Sequence, residues 1–447
     1  MTRTANPWAE RFAPLLDAEE VFRRAEVKPP TLLNLNAKPL EAACKELEGA
    51  LSEVFYPTAQ CVDLLMEWAG QAHAHCLTYY PSRRDILSGV YDTESASPLP
   101  GFSCPTCLGG LAGTGKSQLF QAFERILPPP DSLYIDDHHS HFPLVAAWIR
   151  QLQNCKSAQQ VPAVLAGMRP SGKSALDMAR RRAFRDGVAF LGVDEFQFAT
   201  QSSSANTLVT QMLFAASHLG VPFVYATNFS LVHKLLKRPQ EDRQRLLSKP
   251  KVLWPDMPES IDRINTLESY RDICPEVLTF DPVNDSHAIY LLSAGIKRLE
   301  RILIVDGYRI SRLRSGRNAK VGVREIEEAY HSASFTVNRH DVEAIARQTI
   351  QNKKIPGRDD LWCPFDLPRP APAQSSRSNP FSEKREEKVA EAALHDSLTK
   401  SERKAFEALS KPKKKCDGNV VNLRKRKRPA TAEELKENAK SLLDKIL

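Results

Sequence analysis

The stretch Gly110-Leu-Ala-Gly-Thr-Gly-Lys-Ser117 decides the fold, because it matches the complete phosphate-binding loop (P-loop) pattern. Its glycines let successive backbone N–H groups converge on a polyphosphate with no Cβ in the way. The lysine supplies a positive charge to the outer phosphates, and the serine offers a hydroxyl to Mg²⁺. The pattern therefore predicts a nucleotide site formed by Gly110, Gly113, Thr114, Gly115, Lys116 and Ser117.

Two apolar runs downstream provide the polar groups that a P-loop requires. Residues 188–193 have the length and hydrophobicity of a buried strand and are followed by Asp194 and Glu195. Asp194 is predicted to hold Mg²⁺, and Glu195 to polarise the attacking water. Residues 221–226 form the next buried-strand candidate, and Asn228 after it is predicted to orient that water or to sense the γ-phosphate.

A second segment, Gly167-Met-Arg-Pro-Ser-Gly-Lys-Ser174, fits the same pattern. Lys173 precedes Asp194 by 21 residues, which leaves room for one helix and the acidic strand only. Another strand normally lies between the two motifs of a doubly wound P-loop fold, so we assign the nucleotide to 110–117. The second segment is then a solvated loop that caps the next helix, or a place where Arg169 and Lys173 hold a DNA phosphate.

Length and composition favour a large soluble protein. The chain has 447 residues, of which 42% are hydrophobic, so it can bury a sizeable core in two or three structural units. It has neither an apolar run of the ~18–20 residues that span a bilayer nor an apolar N-terminal leader. We expect an intracellular protein whose nine cysteines are free thiols.

The net charge of +8 is uneven, because residues 371–447 carry 19 Lys and Arg against 12 Asp and Glu. We predict five segments. They are a partner-docking arm (1–30), a helical N-terminal region (31–99), an α/β nucleotide-binding domain (100–282), a helical lid (283–354), and a linker with a basic, largely disordered tail and terminal helix (355–447). The apolar residues of the arm, which include Trp8 and Phe12, are predicted to dock either on a partner or on the protein's own body.

The order of these features resembles that of the AAA+ transposition regulators of the TnsC/TniB type, from Tn-seven-like transposons, over roughly residues 5–350. The resemblance includes the early Asn-Pro-aromatic arm, Tyr134-Ile-Asp-Asp137 after the P-loop helix, and Asp194-Glu-Phe-Gln197. It implies a cytoplasmic ATPase, nucleoid-associated when it binds DNA, that uses ATP and Mg²⁺. Such proteins form rings or helical filaments on duplex DNA, link a target-site selector to the transposase, and disassemble when ATP is hydrolysed.

The resemblance also implies an arginine that each subunit supplies to its neighbour's site. The matching stretch is 238–245, in which we favour Arg243 and Arg245, with Arg238 third. In the lid, Gly295-Ile-Lys-Arg298 resembles the segment whose arginine reaches back to the γ-phosphate in many AAA+ proteins. The predicted fold class is α/β, a doubly wound parallel AAA+ sheet with a helical lid.

Two other functions share this P-loop. An ATP-driven DNA motor, or an initiator or loader ATPase, would be expected to carry translocation motifs or a winged-helix domain after the lid, and residues 351–447 show neither. A nucleotide-gated scaffold that does not hydrolyse ATP is the third possibility. Glu195 argues against the scaffold, because such proteins often lack that carboxylate.

Overall fold

The computed structural model describes residues 6–92, 97–135, 140–152, 155–169, 175–194, 205–366 and 380–398. The chain divides into two compact units, Met1–Val389 and Ala390–Leu447. The predicted terminal helix and most of the basic tail lie outside the described residues. No described helix combines the length and apolar character that crossing a membrane requires.

Five parallel strands form the central sheet: β1 (Thr106–Gly109), β4 (Ala147–Gln151), β5 (Phe190–Asp194), β6 (Phe223–Ala226) and β7 (Lys249–Val252). Their order is β4-β5-β6-β1-β7, so the strand that enters the P-loop is paired on both sides. All residues of β1, β5 and β6 are buried, as expected for parallel strands covered by helices on both faces. The predicted α/β fold class is confirmed.

A separate antiparallel hairpin precedes the edge strand β4. It consists of β2 (Asp131–Ile135) and β3 (Ser140–Leu144). The strand predicted after the P-loop helix is therefore present, but it lies outside the central sheet. The sheet strand at this point of the chain is β4, which sequence analysis missed because Ala-Trp-Ile-Arg-Gln is short and ends in polar residues.

The described part of the predicted nucleotide-binding domain contains seven α-helices: α6 (Lys116–Ile126), α7 (Val161–Leu165), α8 (Ala175–Arg185), α9 (Ala205–Ser217), α10 (Phe229–Leu236), α11 (Gln240–Leu246) and α12 (Ile261–Arg271). The P-loop helix α6 buries its apolar face against the sheet because Leu119, Phe120 and Phe123 recur at helical spacing.

Five helices precede the sheet: α1 (Pro7–Glu10), α2 (Ala18–Ala25), α3 (Leu40–Glu53), α4 (Ala59–Tyr79) and α5 (Arg83–Tyr91). Helix α4 is part of the main core, since Trp68 stacks on Phe120 with ring centroids 5.1 Å apart. Helices α1, α2, α4 and α5 therefore share one core with the sheet.

The first residues of the chain dock on the protein's own body. Trp8 is 2% exposed and stacks on Tyr80, with the ring centroids 6.1 Å apart, and Phe12 is fully buried. Asn6 accepts hydrogen bonds from the first N–H groups of α1 and donates to the Tyr80 carbonyl oxygen. Of the two alternatives for this arm, docking on the body is the one observed, so these two aromatic anchors are not available to a partner.

The lid follows as four helices: α13 (Ser286–Ser293), α14 (Lys297–Ser315), α15 (Val323–His331) and α16 (Thr336–Gln351). They enclose a second hydrophobic core together with α3 and α12. A fully buried ion pair between Arg263 and Glu300 joins α12 to α14, and the Arg263 guanidinium also donates to Ser286 at 3.1 Å. This pairing fixes α14, the helix that reaches the P-loop.

A last helix, α17 (Pro380–Ser397), lies within the segment predicted as linker and tail. Arg385 is 5% exposed and donates to the Leu291 carbonyl oxygen, to the Tyr330 hydroxyl and to the Glu343 carboxylate. The start of α17 is therefore packed on the lid, although sequence analysis placed it in the tail.

Candidate nucleotide site

The P-loop joins β1 to α6 through a backbone path that only glycine adopts easily. Gly113 and Gly115 have φ of +87° and +106°, in the left-handed region. At Gly110, a Cβ would lie 2.9 Å from the carbonyl oxygen of Leu253. The three predicted glycines are thus required by conformation or by close approach, and the turn directs the start of α6 toward the cavity.

Lys116 lies inside the loop and is 8% exposed. Its Nζ donates to the carbonyl oxygens of Gly110 at 3.1 Å and Leu111 at 2.7 Å. Burial lowers the pKa of Lys116 to about 7; the Asp194 carboxylate opposes this shift and the Arg298 charge adds to it. A bound polyphosphate would supply negative charge that compensates this ammonium for its loss of solvation by water.

The side chain of Thr114 bonds to the loop itself. Its hydroxyl donates to the Leu111 carbonyl oxygen at 3.0 Å, and its side chain is buried. Thr114 therefore braces the turn through a backbone group, and its contact with a nucleotide stays a prediction.

A cavity of about 280 Å³ opens in front of the loop, at the carboxyl ends of β1, β5 and β6. Parallel strands place their ligand-binding residues at this edge of the sheet. The cavity is lined by Ala112, Gly113, Gly115, Lys116, Ser117, Gln118, Asp194, Ala226, Asn228, Arg298 and Arg301. Residues from distant parts of the chain, from Ala112 to Arg301, thus meet in one cleft.

The chemistry of this cleft fits a nucleotide with Mg²⁺. Ser117 and Asp194 supply a hydroxyl and a carboxylate, which are the hard oxygen ligands that Mg²⁺ prefers. Lys116 and Arg298 supply positive charge for phosphates, and the N-terminus of α6 adds its backbone N–H groups. The described residues contain no cluster of three or more His, Cys, Asp and Glu side chains that would hold another metal.

Several predicted residues are not among the described residues that line the cleft. Glu195 and Lys173 are outside the described residues, and Arg169 is exposed after α7. Arg243 and Arg245 are exposed on α11 and do not line the cavity of their own chain. The Arg245 guanidinium lies 5.9 Å from the Phe102 ring centre, whereas Arg238 pairs with Asp242 at 3.1 Å.

Two polar residues of the cleft, Gln118 and Arg301, were not predicted from the sequence. Their side chains donate to the same acceptor, the Ser52 carbonyl oxygen, at 3.0 Å and 3.2 Å. Gln118 follows the P-loop directly, and Arg301 lies one helical turn after Arg298, so both positions were within reach of the motifs. No local pattern indicated that the end of α3 would join them.

No protein-family model and no curated protein matches this chain. Among solved structures, ORC1 of Aeropyrum pernix in complex with DNA is 17% identical and covers 64% of this chain and 73% of its own, with a TM-score of 0.34. The FIGL-1 AAA domain in complex with ADP is 15% identical and covers 60% and 84%, with a TM-score of 0.34. PCH-2 of C. elegans is 13% identical and covers 64% and 71%, with a TM-score of 0.32. Similarity at this level assigns neither a substrate nor a partner to this chain.

Proposed function

We propose that this protein is an AAA+ ATPase that regulates transposition. It binds ATP and Mg²⁺, oligomerises on duplex DNA, and links a target selector to the transposase until hydrolysis dissolves the assembly. The observation that carries the ATPase part is the single cleft shared by Lys116, Asp194, Asn228 and Arg298. The regulatory part is supported by the resemblance of the motif series to the transposition regulators.

Each residue of the cleft has a role in this proposal. When bound, ATP supplies the γ-phosphoryl group that is transferred to water. Lys116 and Arg298 bind the outer phosphates, and Ser117 and Asp194 hold Mg²⁺. Asn228 and Glu195 position and polarise the attacking water. Hydrolysis removes the γ-phosphate and with it the preference for the assembled state.

The first experiment tests the site itself. Lys116→Ala is expected to abolish binding of MgATP, measured by calorimetry, and ATP-dependent assembly on duplex DNA, measured by sedimentation. Lys173→Ala, in the second Gly-Lys-Ser segment, is the matched control and should retain nucleotide binding. The reverse result, with binding lost only in Lys173→Ala, would move the nucleotide to residues 167–174.

The second experiment separates a regulator from a motor. Electron microscopy with duplex DNA and a non-hydrolysable ATP analogue should show ordered rings or helices, because ATP favours the assembled state. Unwinding of a forked substrate by isolated particles would identify a motor instead.

Glu195→Gln should trap the assembly with ATP, and rapid turnover by that variant would exclude Glu195 as the base.

A further inference from the structure

The first turn of the lid helix α14 lies directly on the P-loop. The backbone N–H of Arg298 donates to the Gly113 carbonyl oxygen at 3.2 Å. A Cβ on Gly113 would lie only 2.9 Å from the Arg298 Cβ, so the two segments approach as closely as a glycine permits. The direction in which Arg298 enters the nucleotide cleft therefore depends on the position of this turn.

One ion pair ties this turn to the nucleotide-binding domain. Lys297 Nζ lies 3.4 Å from Asp256 Oδ2, and the two side chains are only 14% and 13% exposed. The Lys297 stem passes over the P-loop, because a Cβ on Gly115 would contact its Cδ at 3.9 Å. Burial lowers the pKa of Lys297, but the charge and hydrogen bond of Asp256, together with Cys61 and Tyr270, outweigh it; the net pKa is raised, so Lys297 is charged at neutral pH.

Asp256 is part of a segment that is firmly attached to the sheet. Leu253 and Trp254, just before Asp256, donate backbone hydrogen bonds. The Leu253 N–H donates to the Gly109 carbonyl oxygen at 2.9 Å, and the Trp254 N–H donates to the Gln60 side chain at 3.2 Å. The Asp256 carbonyl oxygen also lies 3.0 Å from where a Cβ on Gly295 would be. The segment therefore presents its carboxylate to the lid from a fixed position.

Lys297 and Asp256 do not themselves line the described wall of the nucleotide cleft, whereas Arg298 and Arg301 on the same helix do. We infer that Lys297 and Asp256 are positioning residues, which clamp α14 on the P-loop so that Arg298 reaches the outer phosphates. The inference rests on the proposed nucleotide site. The pair acts through the helix that it anchors, without touching the nucleotide.

Binding of MgATP and MgADP to three variants, measured by calorimetry, tests the clamp. Lys297→Met keeps the apolar stem over Gly115 but removes the charge, and Asp256→Asn removes the partner. Each should bind ATP about tenfold more weakly, within the usual range of coupling between sites. ADP binding should change less, because Arg298 acts on the outer phosphate. Lys297→Arg retains the pair and should bind ATP within about twofold of the wild type.

The matched control is the ion pair between Lys251 and Glu67, which joins β7 to α4 at 2.7 Å and is 40% and 34% exposed. Glu67→Gln should leave both affinities unchanged, as expected for a half-exposed pair. Thermal unfolding of every variant checks the fold. If a single variant unfolds, the double variant Lys297→Met with Asp256→Asn carries the same test, because it leaves no charge buried and unpaired.

The outcomes separate the clamp from the site. If the wild type binds ATP and the two charge-removing variants bind it equally well, the clamp is refuted and the nucleotide site stands. If the variants lose ATP and ADP affinity equally, Lys297 and Asp256 only stabilise the structure of the site, and the clamp is refuted as well. If the wild type binds neither nucleotide, the proposed function fails, and the inference fails with it.

Discussion

The ammonium group of Lys116 is held by the carbonyl oxygens of its own loop, in a place where burial penalises its charge. Its pKa is about 7 in the folded protein, below the ordinary value of 10.5 that applies to the unfolded chain. Between these two pH values the unfolded chain binds a proton that the folded protein lacks. Raising the pH through this window therefore stabilises the nucleotide-free fold, and below about pH 7 the full cost of the buried charge is present.

The prediction compares the pH dependence of the stability of the wild type with that of Lys116→Met. The free energy of unfolding of the wild type minus that of Lys116→Met should increase from about pH 7 to pH 9, by at most ~1.4 kcal/mol per pH unit. Urea unfolding without nucleotide measures it. Parallel pH profiles of the two proteins would show that burial does not shift this lysine.

Gly113 provides a second prediction, because it has φ of +87° and faces the Arg298 Cβ. Gly113→Ala should lower the melting temperature and weaken ATP binding at least tenfold, since a left-handed alanine costs about 1–2 kcal/mol before the clash with α14 is counted. The control is Gly49→Ala, on an exposed position of α3 with no atom within 4 Å of the new Cβ. That change should stabilise the protein by about 0.5–1 kcal/mol. Unchanged ATP affinity in Gly113→Ala would mean that the P-loop and α14 separate when ATP binds.

At the residue scale, the sequence was informative where chemistry is local. Lys116, Ser117 and Asp194 follow from motifs, because a P-loop and an acidic strand end are each written in consecutive residues. The contacts of Ser52 with Gln118 and Arg301 join three distant segments. Only packing of the whole chain brings such segments together, and no spacing rule encodes it.

Elements were predictable to the extent that burial makes their sequences distinctive. Strand β5 is buried along its whole length and reads as a continuous apolar run. The edge strand β4 has only one paired neighbour among the described strands and a short sequence that ends in polar residues, so it has no such signature. The docking of α17 could not be predicted either, because the sequence of a charged helix does not distinguish one buried arginine from the exposed charged residues around it.

That arginine carries a prediction at this scale. Arg385→Ala should destabilise the start of α17 by about 2 kcal/mol, because it removes the charge-assisted hydrogen bonds that the guanidinium donates to the Tyr330 hydroxyl and the Glu343 carboxylate. Hydrogen exchange of residues 384–389 should then become faster. The control is Lys384→Ala, on an exposed position of the same helix. Equal exchange rates in both variants would show that Arg385 does not anchor the helix.

For the molecule as a whole, the layout of the sheet was predictable from the spacing of its motifs. The 78 residues between Lys116 and Asp194 leave room for another strand, and β4 occupies that place. The proposed assembly of several molecules is a different matter, because the structure contains a single chain and therefore no interface between copies. Arg243 and Arg245 are exposed and line no wall of their own nucleotide cleft, which is the position that a residue serving a neighbouring subunit requires.

If Arg243 or Arg245 acts on the neighbour's ATP, two inactive variants should complement one another. Lys116→Ala removes the nucleotide site but keeps the arginines, and the double variant Arg243→Ala with Arg245→Ala does the reverse. In an equimolar mixture, one interface in four joins an intact nucleotide site to intact arginines. The mixture should therefore recover about a quarter of the wild-type ATPase rate on DNA, if the interfaces are heterologous and subunits mix at random.

The ATPase rate per subunit, measured across mixing ratios, decides whether these arginines act on the neighbour's ATP. Complementation should be greatest at the equimolar ratio and should vanish when either variant is alone. Gln244→Ala, at an exposed position between the two arginines on α11, is the control and should retain its activity without mixing. A mixture that stays inactive at every ratio, although the mixed subunits assemble together on DNA, would show that these arginines do not complete a neighbour's site. An arginine double variant that is fully active alone would exclude both residues from catalysis.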